Sequence, residues 1–276
     1  KKVYSMIKCV IHTADIHIRN VMRHEEYSEQ LMRFINKSKE IASKYDKDEV
    51  RIVIAGDLVH QKNNISNELF SFTSTFIRAL EEIAKVIVIS GNHDLVVNNI
   101  NREDTMSALF TTACFQNTIF LDRELDYCSG VYQDDNILWA LYSIYSDYSK
   151  PEIPKDVKDL KVIGLYHGTV VGSQTNSGRI MEIGNDGDIF STCDAVMAGH
   201  IHMRQVLKRK NTEIVYPGSL IQQDYGETIS KHGFAVWDIE NMTHKFVNID
   251  TDYGFYNIEI NNIQDLEEDK ETLVNQ

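Results

Sequence analysis

The chain has 276 residues, 42% of them hydrophobic and 25% charged, the proportions of a globular protein with room for one large domain and a small appendage. A net charge of −13 argues against a protein that grips nucleic acid on a broad basic face, and no apolar run approaches the roughly 20 residues of a membrane span. Four cysteines without Cys-x-x-Cys spacing disfavour a thiolate metal site and point to a reducing, cytoplasmic setting, with Cys9 and Cys193 as buried thiols.

The chain opens on Lys1, so Met6 is expected to be the natural first residue. Cys9-Val10-Ile11 predicts a buried strand and is followed by Asp15-Ile16-His17. Tyr27, Leu31, Phe34, Ile35, Ile41 and Tyr45 recur at helical spacing and predict a helix near 25–49. A second strand, Ile52-Val53-Ile54, leads into Gly56-Asp57-Leu58-Val59-His60. Leu69, Phe72, Phe76, Leu80 and Ile83 predict a second helix, with Ser66 as its cap. Val86-Ile87-Val88-Ile89 then delivers Gly91-Asn92-His93-Asp94.

From about Ile119 the pattern is strand-rich, at 137–141, 161–166, 194–198, 213–216 and 233–238, with a last strand at 245–250. His167-Gly168 and Gly199-His200-Ile201-His202 follow two of these strands. The tyrosine-rich stretch 142–148 predicts a loop with partly buried rings rather than a stacking surface for nucleic acid. Residues 1–250 are expected to form one domain, and 251–276 the start of a second, truncated module beginning near Tyr253 to Ile260.

Five loops, each behind a strand, thus carry Asp, His and Asn side chains to the end of a sheet where α/β proteins place their chemistry. Taken singly, Gly-Asp is an ordinary turn, and a lone histidine is more often a structural hydrogen-bonder than a ligand. Five such turns in succession, all of ligand type, are not explained that way. Imidazole, carboxylate and amide without thiolate suit Mn²⁺, Fe²⁺ or Zn²⁺.

This order of motifs resembles the calcineurin-like metallophosphoesterases over roughly Lys8 to Asp238. The resemblance implies an α/β fold, a four-layer α/β/β/α sandwich of two mixed sheets flanked by helices. It also implies two divalent metal ions: Asp15, His17 and His202 on one, Asn92, His167 and His200 on the other, and Asp57 bridging them. His93 is implied to face the scissile phosphate, stabilising charge or protonating the leaving oxygen. Asp94 would either orient that ring or cap a following helix.

His60, three residues after Asp57, resembles the DNA-nuclease branch with its SbcD-type subunits. So does Tyr216-Pro217-Gly218-Ser219, followed by Gly226-Glu227 and Lys231-His232-Gly233. That branch implies a two-metal DNA nuclease using Mn²⁺, homodimeric through helices after the second and third motifs, partnered by an SbcC-like ATPase, in a repair or recombination complex. The alternative is a phosphodiesterase or phosphatase acting on small nucleotides or phosphoproteins. A catalytically silent scaffold would have lost ligands, and none is missing. Relatives commonly carry glycine where this chain has Arg19, which leaves the loop Arg19 to Arg23 open to another shape. Arg19, Arg23 and Arg179 are the candidate DNA contacts.

Overall fold

The computed structural model describes residues 6–255, except 63, 97, 98, 100 and 101. Two six-stranded mixed sheets pack face to face. In the first, β1 (Cys9–Thr13), β2 (Val50–Ala55), β3 (Lys85–Ile89) and β4 (Thr118–Phe120) run parallel. Their neighbours on the β1 side are β11 (Gly233–Asp238) and the edge strand β12 (Thr243–Asn248), both paired antiparallel. In the second, β6 (Ile137–Tyr142), β7 (Lys161–His167), β8 (Ala195–Gly199) and β10 (Thr212–Tyr216) are parallel, flanked by β5 (Gly130–Asp134) and β9 (Gln205–Arg209). The last two strands thus return to the first sheet, so the chain is not simply two successive halves.

Near-continuous apolar runs make these central strands because both of their faces are covered. Along β1 and β2, Cys9, Ile11, Ile52 and Ile54 face the helices, whereas Val10, Val53 and Ala55 face the other sheet. The helical layer on the first sheet comprises α1 (His24–Ala42), α2 (Asn67–Glu81) and α3 (Thr105–Ala113). A short helix, α4 (Leu121–Glu124), leads out of β4. Short 3₁₀ turns and loop cover the outer face of the second sheet, where Phe190 packs on Tyr142 and Tyr166.

Ser66 caps α2, its hydroxyl accepting from Leu69 N at 3.1 Å. The first helix is shorter than expected: it stops at Ala42, and Tyr45 lies beyond it. Residues 44–48 are Lys, Tyr, Asp, Lys and Asp, with no aliphatic side chain to keep the stripe on the core, and Asp46 and Glu49 cap a separate 3₁₀ turn instead. Tyr142 is buried, with Tyr145 and Tyr148 partly so, and Cys9 and Cys193 are buried thiols.

At the N-terminal edge of the strands the two sheets are joined by charge. Arg51 of β2 reaches Asp134 of β5 through Nε at 2.6 Å and Nη2 at 3.0 Å, and both side chains are 4% exposed. Residues 250–255 run along α1, with the Tyr253 hydroxyl donating to Glu29 and Phe255 N donating to the Gln222 side chain at 2.7 Å. The expected second module past Phe255 lies outside the described residues.

Candidate metal centre

The strand ends turn sharply, and the backbone carries the cost. Asp15, His17 and Asp57 sit at φ 52°, 53° and 52°, and His200 at 94°, a region that non-glycine residues rarely adopt. The loops after β1 and β2 zip together: Asp15 N donates to Gly56 O, His17 N to Asp57 O, and His60 N to Ile18 O. Gly56 has φ 87°, and a Cβ there would lie 2.2 Å from His167 Nδ1. Glycine is required because two ligand-bearing loops approach each other across it.

The structure brings together all seven residues expected to hold metal. Nε2 of His17 and Nε2 of His202 face each other at 3.0 Å. Asp57 Oδ2 lies between His17 Nε2 at 3.5 Å and His167 Nε2 at 3.3 Å. Asn92 Oδ1 is 2.8 Å from His200 Nδ1 and 3.2 Å from His167 Nε2. Potential ligand atoms of Asp15, His17 and His202 lie within 4.8 Å of one another, and so do those of Asp57, His167 and His200. His60 and His93 adjoin this cluster with their rings stacked at 4.8 Å, and His93 Nδ1 sits 3.1 Å from the His60 carbonyl. A cleft of about 270 Å³ opens over His200 and His202.

Residues 9–242 match the model of the calcineurin-like phosphoesterase superfamily domain. The chain is a calcineurin-like phosphoesterase. It is 34% identical over 266 residues to an uncharacterized protein of Acanthamoeba polyphaga mimivirus, covering 92% of this chain but only 19% of that one. It is 27% identical over 268 residues to the SbcD component of the nuclease SbcCD from Staphylococcus saprophyticus, covering 86% of this chain and 68% of the relative. Among solved structures it is similar to an archaeal phosphodiesterase, at 13% identity and a TM-score of 0.40, covering 86% of this chain and 97% of that one. The superfamily is one of metal-dependent hydrolases of phosphate esters, and the chain is related in sequence to SbcD-type subunits.

The donor set of this phosphoesterase fits divalent cations. Two imidazole nitrogens at 3.0 Å, aimed at one another around a buried carboxylate, are the arrangement a shared cation resolves. Burial opposes the charge on Asp57, yet His167 and His17 hold its carboxyl far below the usual range. Burial, with the charge of Asp57 added, pushes Asp15 up to about 6. Burial also works against His167, but Asp57 raises it to about 10. His200 is lowered to about 4 by burial and by His167. Two carboxylates confined in one dry pocket call for cations.

Asp94 neither orients His93 nor caps a helix. It is fully buried and accepts from Gly91 N at 2.8 Å and Val59 N at 3.0 Å, tying the second loop to the third. Its carboxyl is raised to about 8 by burial first and Asp57 second. The His93 ring is held instead by the His60 carbonyl.

Arg19 stands at the rim, where burial and its positive charge lower His60 to about 4. Arg179 is exposed in the turn 175–179 beside the cleft. Arg23 is committed elsewhere: its guanidinium makes two 2.6 Å contacts to Glu26 and a third to the Gln222 carbonyl, under the Phe255 ring. Its charge is therefore paired locally with Glu26.

Three supporting residues escaped sequence reasoning as parts of the site. The hydroxyls of Tyr27 and Tyr148 donate to the backbone carbonyls of His17 and His167, and Glu227 contacts the His202 ring at 2.5 Å. Only Glu227 left a signal, the glutamate after the Gly-Ser turn.

Proposed function

We propose that this phosphoesterase is a metal-dependent DNA nuclease that hydrolyses phosphodiester bonds, serving as the catalytic subunit of an SbcCD-like repair or recombination complex. The observation that carries the reading is the stacked His60–His93 pair set against the seven-residue cluster. Similarity to the SbcD component of a nuclease favours DNA over a smaller phosphodiester.

Asp15, His17 and His202 would hold one ion, Asn92, His167 and His200 the other, and Asp57 both, with Mn²⁺ the ion proposed. When bound, the pair supplies positive charge for the phosphate and lowers the pKa of a water to give a nucleophile near neutral pH. His60 fixes the His93 ring through its carbonyl and its stacked face, leaving His93 Nε2 as the ring's remaining functional atom. Because that carbonyl can only accept, Nδ1 carries a proton, so it is the imidazolium form of His93 whose Nε2–H would hydrogen-bond the phosphoryl oxygens as charge builds or donate to the departing oxygen. Arg19 and Arg179 would meet flanking phosphates in this reading. Residues 1–250 form the nuclease domain in this reading, and 251–276 lead toward the region that meets an SbcC-like ATPase. The protein pairs as a homodimer through helices after the second and third motifs.

The test is Mn²⁺-dependent degradation of linear double- and single-stranded DNA by the wild type and by His93→Ala, with metal content measured in both. The expected result is cleavage by the wild type alone with two ions in each protein. Hydrolysis of cyclic nucleotides but not DNA, even with the ATPase added, would replace this reading with the small-nucleotide alternative.

A further inference from the structure

Glu227 comes from the loop between β10 and β11, and its side chain is 3% exposed. Oε1 lies 2.5 Å from His202 Nδ1, while Oε2 accepts from the Ser219 hydroxyl at 2.9 Å and from Gln223 N at 3.0 Å. Ser219 Oγ is also 3.1 Å from His232 Nδ1. The backbone of His202 is gripped by the same segment, since Ser219 N donates to its carbonyl at 3.1 Å. Gly218, at φ 81°, permits that approach, because a Cβ would come within 2.7 Å of the His202 carbonyl. Ring and backbone are thus both fixed, and Nε2 is the nitrogen left facing His17.

The other histidines of the cluster are held differently. His167 Nδ1 meets the neutral carbonyl of Ala55 at 2.8 Å, whereas His200 Nδ1 faces Asn92 Oδ1 inside the cluster itself. Of these three rings, His202 is the one backed by a carboxylate.

We propose that Glu227 is a positioning residue of the metal centre: it holds His202 with its proton on Nδ1 and its Nε2 lone pair toward the ion shared with Asp15 and His17. This rests on His202 being a ligand, as read above. A carboxylate behind a ligand imidazole fixes the ring and raises its basicity, and losing one typically costs 10–100-fold in metal affinity. The two ions are therefore held unequally, and Glu227 acts on one of them.

The experiment is calorimetric titration of Mn²⁺ into the metal-stripped full chain, for wild type, Glu227→Ala, Glu227→Gln and His202→Ala, with thermal unfolding of each metal-stripped protein. Glu227→Ala is expected to weaken one site roughly 10–100-fold and leave the other at wild-type affinity. Glu227→Gln keeps an acceptor for the ring and should lose less. Two sites of wild-type affinity in Glu227→Ala, with one lost in His202→Ala, would overturn the role of Glu227 alone. Two intact sites in His202→Ala would overturn the ligand reading beneath it. Equal weakening of both sites in Glu227→Gln, with a collapsed thermal transition, would make Glu227 a merely structural residue and also overturn the proposal.

Discussion

Replacing Gly56 with alanine tests whether the loops are as tightly apposed as their geometry requires. Gly56 sits at φ 87°, and an L-residue forced into the left-handed region costs about 1–2 kcal/mol. The new Cβ would lie 2.2 Å from His167 Nδ1 and 2.6 Å from Cγ, with Gly91 Cα at 3.0 Å behind it. The ring must move, though it is buried and held by the Ala55 carbonyl at 2.8 Å, and overpacking of this kind costs about 1–3 kcal/mol. A total of about 2–5 kcal/mol is a large share of the roughly 5–15 kcal/mol available to a folded domain. Urea unfolding in chelator measures it. Gly130→Ala is the control, because its Cβ meets only Leu125 at an ordinary 3.5 Å and should shift stability by about 1 kcal/mol or less. A displaced His167 also predicts that Gly56→Ala binds less Mn²⁺. Equal stability in the two variants, with unchanged metal binding, would refute the close-approach argument.

Asp94→Ala should cost at least about 2 kcal/mol in the same unfolding assay, because it strands the buried N–H groups of Gly91 and Val59; a loss within error would show that those groups find other partners. Asp122 gives a pH signature. Burial raises its carboxyl to about 6 from the ordinary 3.8, so the folded chain binds the proton more tightly than the unfolded one. Its contribution to stability therefore falls as pH rises from about 4 to about 6. Asp122→Asn lacks that slope, and its stability relative to wild type should improve by on the order of 2–3 kcal/mol between pH 4 and pH 7. A pH-independent difference in denaturant midpoints would contradict this.

The sequence disclosed those parts of the site where chemistry restricts residue type locally. Asp15, Asp57, Asn92 and the histidines each follow a β-branched run within a few residues, so strand, turn and ligand are legible together. Glu227 is a different case. Its partner lies 25 residues away across a strand pair, and only the folded hairpin turns an ordinary glutamate into the backing of a histidine. Asp94 was visible, but its role was not, because the two N–H groups it holds belong to loops whose proximity is tertiary. Arg23 combines both cases: Glu26, three residues on in the first turn of α1, is a local partner, whereas the Gln222 carbonyl that it also meets is brought to it only by the fold. Short strands such as β5 and β9 went unforeseen, since five residues of alternation carry little signal.

The Arg51–Asp134 pair at the base and the histidine cluster at the top occupy opposite rims of one sheet-to-sheet interface. Each cluster draws on both sheets: Asp15 and His17 meet His202, and Asp57 meets His167 and His200. An ion in either place is therefore a clasp as well as a cofactor. Joining His17 to His202 closes a span of 185 residues, a constraint the unfolded chain does not carry. Without ions that rim would lose its clasp while the buried ion pair still held the other, so the sandwich would loosen from the histidine end inward.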